Sequence, residues 1–120
     1  MALVLVVDDS PTEQHVISRV LEEHGFETVV ASDGEEAITI ASSAHPDIIL
    51  MDIVMPGMNG FQATRQLLKN PTTASIPVVM VTSKDQETDR IWGLRQGAVE
   101  YLMKPVGDED LVAAVRANLS

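Results

Sequence analysis

Five short apolar runs, each followed by a stretch with helical spacing, constrain this chain more than any other feature. The runs are LVLVV (3–7), ETVVA (27–31), DIILM (47–51), PVVMV (77–81) and EYLM (100–103). All are too short for helices of ordinary length, and four are rich in β-branched or aromatic residues, so they read as strands. Apolar character on consecutive residues implies burial on both faces, as in a parallel sheet covered by helices.

The intervening segments carry helix signals. Ser10-Pro11-Thr12-Glu13 combines an N-cap, a proline at the first helical position and the acid of a capping box. Val16, Ile17, Val20 and Leu21 then share one face, and Gly25 ends the helix. Asp33-Gly34-Glu35-Glu36 opens a second helix with the same spacing. Phe61, Thr64, Leu67 and Leu68 mark a third, stopped at Asn70-Pro71. Ile91 and Leu94 mark a fourth, ending near Gly97; Asp108 caps a fifth, with Leu111, Val112, Val115 and Leu119 on its apolar face. Strand and helix alternating five times predict a doubly wound α/β domain, its right-handed crossovers placing helices on both faces of a five-stranded parallel sheet.

A chain of 120 residues is enough for one such domain with one real core, here residues 1–120. No apolar run approaches the ~18 residues of a membrane span, and MALVLVVDD has no basic segment before its acids, so neither membrane insertion nor secretion is expected. The chain has no cysteine, which suits the cytoplasm. Eight Lys and Arg stand against eighteen Asp and Glu, a formal charge of −10. That surface repels a phosphate backbone, which argues against nucleic acid and favours metal cations and basic partner surfaces.

In a parallel sheet the carboxyl ends of all strands share one edge, and ligands bind beyond that edge. Asp8 and Asp9 follow the first run, Asp52 the third, Thr82 and Ser83 the fourth, and Lys104 and Pro105 the fifth. Ala31 and Ser32, after the second, offer nothing comparable. Taken singly, each has a plainer reading: Asp8 and Asp9 as turn and cap residues, Asp52 as a turn residue, Lys104 as a solvated charge. Together on separate strands they point to a site. Three converging carboxylates raise a pKa or demand a cation, and Mg²⁺ suits an all-oxygen donor set. Without cysteine or paired histidines a zinc centre is not expected.

VVDDS (6–10), MDIVMPGMNG (51–60), VTS (81–83) and YLMKP (101–105) carry a specific resemblance. With these motifs, and with the intervals between Asp52, Thr82 and Lys104, the chain resembles the receiver domain of bacterial two-component response regulators along its whole length. It is most similar to the stand-alone, chemotaxis-type members. The resemblance implies the flavodoxin-like (βα)5 fold. It also implies that Asp52 is the phosphoryl acceptor, attacking a phosphohistidine on a chemotaxis-type histidine kinase. Asp9, Asp52 and the backbone carbonyl of Val54 would ligate Mg²⁺, with Mn²⁺ as a substitute, and Asp8 would act through a water on the metal. Lys104 would pair with the phosphoryl group, its peptide bond to Pro105 being cis in the family. Thr82 and Tyr101 would form the switch, reshaping a partner-binding face built from the fourth helix, fifth strand and fifth helix.

SPTEQ, MDIVMPGMNGFQATRQL and TSKDQETDRIWGLRQGAVEYLMKPV further resemble regulators of type IV pilus twitching motility. Val54 and Lys84 sit where the family tunes phosphoryl hydrolysis; neither suits positioning of an attacking water, so slow self-hydrolysis is expected. Tyr101 has a second reading, as a strand aromatic with its hydroxyl at the surface. Trp92, one residue off the Ile91–Leu94 face, reads as core packing at a helix edge, with a partner-docking anchor as the alternative. His15, His24 and His45 read as solvated.

The leading expectation is a monomeric, phosphorylation-switched binding module rather than an enzyme. The last predicted helix reaches Leu119-Ser120, leaving no room for an output module, although a receiver cut from a larger regulator would look the same. The rival from another class is an Mg²⁺-dependent phosphohydrolase with an aspartyl-phosphate intermediate. Such enzymes usually carry an acid-catalyst Asp two residues after the nucleophile, where this chain has Val54.

Overall fold

Ten elements alternate strictly in a computed structural model that describes residues 1–119: β1 (Leu3–Val7), α1 (Pro11–Glu23), β2 (Glu27–Ala31), α2 (Gly34–Ala44), β3 (Ile48–Met51), α3 (Gly60–Lys69), β4 (Val78–Thr82), α4 (Glu87–Arg95), β5 (Glu100–Met103) and α5 (Asp108–Ala117). All strand pairs are parallel, in the order β2-β1-β3-β4-β5. The chain turns one way from β1 to β2 and the other way from β1 to β3, so the crevice between β1 and β3 is the switch point where such sheets bind ligands.

Alternation along the central strands sorts the core into two halves. Leu5, Val7, Ile49, Met51, Val78 and Met80 face α2 and α3, where Ala37, Ala41, Ala63 and Leu67 meet them. Val4, Val6, Ile48, Leu50, Val79 and Val81 face α1 and α5, against Ile17, Leu21, Leu111, Val112 and Val115. The period of two in a strand therefore demands apolar residues at every position when helices cover both sides. The two edge strands depart from that expectation. β2 is only partly buried, with Val30 exposed, and β5 has no buried residue at all.

Local signals hold at most helix starts. Ser10 caps α1 by accepting from the Glu13 N–H, and Asp33 caps α2 by accepting from Glu36. The reciprocal half of the α1 capping box is absent, because the Ser10 N–H donates to Asp8 Oδ1 instead. A complete box occurs at α3, between Asn59 and Gln62. Asp108 does not cap α5; it is the first helical residue, and Gly107 holds the cap position without a side-chain bond. β3 and β4 begin one residue later than expected, at Ile48 and Val78. Val16 is exposed rather than part of the buried face of α1.

The fourth helix differs most from its expectation. Ile91, Trp92 and Leu94 are all exposed, and Gly93 is the helix's one buried residue. A Cβ on Gly93 would meet Met80, Phe61 and the Tyr101 ring at 3.3 to 3.5 Å, so the helix backbone itself lies against the sheet. Its inward stripe is Asp89, Gly93 and Gln96, at helical spacing but not apolar. Among the described residues no helix is long and apolar enough to cross a membrane.

Candidate functional site

The β1 and β3 ends converge because their backbones are paired to the last residue. The Asp52 N–H donates to the Val7 carbonyl at 3.0 Å, and Asp8 N–H donates to Ala31 on the other side. This fixes both carboxylates at one edge. β5 reaches the same edge through the Lys104 N–H, which donates to the Thr82 carbonyl at 2.8 Å. The Lys104-Pro105 peptide is cis, as the resemblance implies.

Carboxylate oxygens of Asp8, Asp9 and Asp52 all lie within 4.8 Å of one another. Asp8 is almost fully buried, Asp52 nearly so, and Asp9 is exposed. The Lys104 ammonium donates to Asp8 Oδ2 at 2.6 Å and to Asp52 Oδ2 at 3.5 Å, with Glu13 at 3.9 Å. Asp52 Oδ1 accepts from its neighbour's N–H, that of Ile53, at 2.7 Å. Gly60 closes the loop after Asp52. Its N–H donates to the Ile53 carbonyl, and a Cβ there would stand 2.1 Å from the Asp52 carbonyl oxygen.

Burial raises the Asp52 pKa; the Lys104 charge opposes that, the Asp8 charge adds to it, and bonding from Ile53 and Thr82 opposes it, leaving a net rise. For Lys104 burial works against its charge, but the Asp8 bond and the charges of Asp52, Asp8 and Glu13 outweigh burial and raise its pKa. The pocket is therefore short of positive charge: one ammonium faces three carboxylates and the margin of a fourth. A hard cation with oxygen ligands fits that donor set, and the exposed Asp9 opens it to solvent.

Thr82 is fully buried as the last residue of β4, and its hydroxyl accepts from the Lys84 N–H at 3.3 Å. Tyr101 lies behind it on β5. Its hydroxyl is not free at the surface but donates to the Lys84 carbonyl at 2.8 Å. Burial first, and then Asp89, Asp52 and Asp85, push the phenol pKa up to about 12. Val54 is exposed on the loop after Asp52, and Ser83 is exposed beyond Thr82. His15, His24 and His45 are exposed, as expected.

Residues 4–116 match the response regulator receiver domain family. The chain belongs to that family. It is 53% identical to Protein PilH of Pseudomonas aeruginosa over 120 residues, covering all of this chain and 99% of that one. Over 116 residues, 97% of this receiver domain, it is 41% identical to the DNA-binding response regulator MtrA of Mycolicibacterium smegmatis but spans only 50% of it. Among solved structures, the chemotaxis protein CheY4 of Vibrio cholerae superposes with a TM-score of 0.93 at 33% identity, covering 99% of both chains. The response regulator domain of Thermotoga maritima CheB gives 0.89 at 34%, covering 98% of this chain and 96% of that one. The flavodoxin-like fold of five parallel strands and five helices is thus shared with chemotaxis-type receivers.

The receiver's edge also holds residues that the motifs did not single out. Gln14, one turn into α1, donates to the Asp8 carbonyl and to the Ser32 hydroxyl at 3.1 Å. Ser32, which looked chemically empty, thus joins the frame around Asp8, and its N–H donates to Glu36. Glu13 contributes a third carboxylate within reach of Lys104, beside Asp8 and Asp52. The signal for both was positional: a helix that starts directly after Asp8-Asp9 turns its first inward residues over the strand ends.

Proposed function

We propose that this receiver domain accepts a phosphoryl group on Asp52 from a chemotaxis-type histidine kinase and uses it to reshape its α4–β5–α5 face for a partner protein. One observation carries the reading: three carboxylates converge within 4.8 Å, with the Lys104 ammonium 3.5 Å from Asp52. Asp9, Asp52 and the Val54 carbonyl would hold Mg²⁺, or Mn²⁺ in its place, with Asp8 behind them. Such an ion supplies neutralisation of the phosphoryl oxygens, the main demand of phosphoryl transfer.

The chain's own residues do the rest. An Asp52 oxygen forms the new bond to phosphorus as the bond to the donor's imidazole nitrogen breaks, the electron pair leaving with the imidazole. Lys104 lies 3.5 Å from Asp52 Oδ2, able to exchange that contact for a phosphoryl oxygen. Thr82 offers a hydroxyl that can turn from Lys84 toward the same oxygens. Movement there bears on Tyr101, because Tyr101 and Thr82 both bond to the backbone of Lys84.

The identity to PilH over nearly its full length supports a stand-alone regulator; we take it to act as a monomer in type IV pilus twitching motility, as the motif resemblance implies. Val54 and Lys84 support slow self-hydrolysis of the phosphoryl group, in a signalling protein rather than an enzyme with turnover.

Incubation with Mg²⁺ and acetyl phosphate, followed by intact-mass measurement, tests the reading. A single phosphate adduct that needs Mg²⁺ and vanishes in Asp52→Asn is expected. Multiple turnover without an adduct would point to a phosphohydrolase, and no adduct even with a histidine kinase would point to a scaffold.

A further inference from the structure

Helix α4 stands between two surfaces of opposite charge. On its β5–α5 side is a groove of about 630 Å³, where Asp85, Glu87, Glu100 and Asp110 face Arg90 alone. On its α3 side is a second groove of about 850 Å³, and there the sign reverses: Arg65 and Lys69 stand against Glu35 alone. This reversal occurs in a chain where acids outnumber bases eighteen to eight. Lys69 makes no ion pair among the described residues, and neither does Arg65. Arg65 is nevertheless held in place, its Nε donating to Gln96 Oε1 at 2.9 Å across the two helices.

Trp92, the only tryptophan, lines this second groove and is 46% exposed. It is not core packing, since α4 rests on the sheet through Gly93. Half-buried Met58 and Phe61 line the same groove, which thus carries three large apolar side chains. An exposed tryptophan beside apolar neighbours and unpaired cations has the composition of an interface centre with a charged rim.

We propose that the α3–α4 groove docks an acidic protein segment, with an apolar side chain of that segment packed on Trp92 and its carboxylates on Arg65 and Lys69. The site is distinct from the α4–β5–α5 face and does not depend on Asp52 being a phosphoryl acceptor. Charge decides among occupants. A second copy brings another −10 against the first, and a nucleic acid brings a long row of phosphates against the same field. A short segment brings only a few charges, within one Debye length (~8 Å) of the two cations.

Selection of a random-peptide display library on the immobilised protein tests this without presuming a sequence. The selected peptides are expected to be net acidic with at least one large apolar residue. Synthetic versions are expected to change Trp92 fluorescence saturably and to bind more weakly as salt rises. Lys69→Glu is expected to weaken them about tenfold or more, and Trp92→Ala to remove binding, while Arg19→Glu on α1 has no effect. Circular dichroism of each variant establishes that it is folded, and both substituted side chains are exposed. Selection that yields only basic or neutral peptides, or no specific binder, overturns the proposal. So does binding that is unchanged in Lys69→Glu and Trp92→Ala. A Trp92 signal that depends on protein concentration without peptide, with a dimer in sedimentation, would assign the groove to a second copy instead.

Discussion

Lys104 is held by Asp8 more closely than by Asp52: its ammonium lies 2.6 Å from Asp8 Oδ2 and 3.5 Å from Asp52 Oδ2. The lysine thus neutralises the more deeply buried of the two carboxylates and leaves Asp52 partly uncompensated. Asp8 is further satisfied by the Ser10 N–H at 2.9 Å. In consequence Asp52 is the group at this edge that gains most from the arrival of positive charge.

That inequality has a stability consequence with a definite sign. Burial holds the Asp52 pKa above 3.8, so the folded chain binds this proton more tightly than the unfolded chain. The contribution of Asp52 is therefore fully present below pH 3.8 and is lost as pH rises through the folded value. At neutral pH its ionised form costs stability. Asp52→Asn should stabilise the metal-free protein at pH 7 and raise its melting temperature. A variant that melts below the parent in a chelator-containing buffer would contradict this.

Divalent cation should act in the opposite direction on the same pair. Ligand that binds only the folded state stabilises by about 2.7 kcal/mol at a hundred times its dissociation constant. Titrating Mg²⁺ should raise the melting temperature of the parent protein, and Asp9→Asn or Asp52→Asn should remove most of the rise. Equal Mg²⁺ stabilisation in all three proteins would show that the ion binds elsewhere.

Most of the fold was legible because its core strands are apolar at every position and two of its helices, α1 and α2, begin with recognisable caps. The edge was legible for a different reason: Asp8-Asp9, Asp52 and Lys104 sit directly after strands, where topology alone brings them together. What was illegible depends on contacts distant in sequence. Val30 and the β5 residues look like core strands, yet the sheet order puts them at the edges, and order is not encoded in any one strand. Helix α4 misled because Ile91 and Leu94 are apolar, while the stripe that meets the sheet is Asp89, Gly93 and Gln96. Hydrophobic periodicity assumes that the inward face is the greasy one, and here close approach through a glycine replaces it.

Gly60 is a second glycine whose absence of a side chain is structural. A Cβ at this position would be 2.1 Å from the Asp52 carbonyl oxygen and 2.9 Å from the Ile53 Cα. Both neighbours are backbone and cannot rotate away. Gly60→Ala should therefore displace the loop after Asp52 and destabilise the protein by about 2–3 kcal/mol in urea unfolding. Loss of less than ~0.5 kcal/mol, the range of an ordinary surface change, would mean that the loop shifts freely.

Tyr101 offers a readout of the β4–β5 end of the sheet that needs no partner. Its hydroxyl donates to the Lys84 carbonyl, and burial together with Asp89, Asp52 and Asp85 pushes its pKa up to about 12. It is the chain's only tyrosine, so absorbance near 295 nm reports it alone. A phenol that ionises at 10.0 in the unfolded chain and near 12 in the folded one favours folding below pH 10, and that contribution fades as pH climbs through 12. Half-ionisation is expected near pH 12 in the native protein and near 10 in denaturant. Because Asp89 is the leading charge behind the shift, Asp89→Asn should bring the native value part of the way back toward 10, with burial retaining the remainder. A native phenol that titrates near 10 would mean that Tyr101 has left its bond to Lys84 and spends its time in solvent.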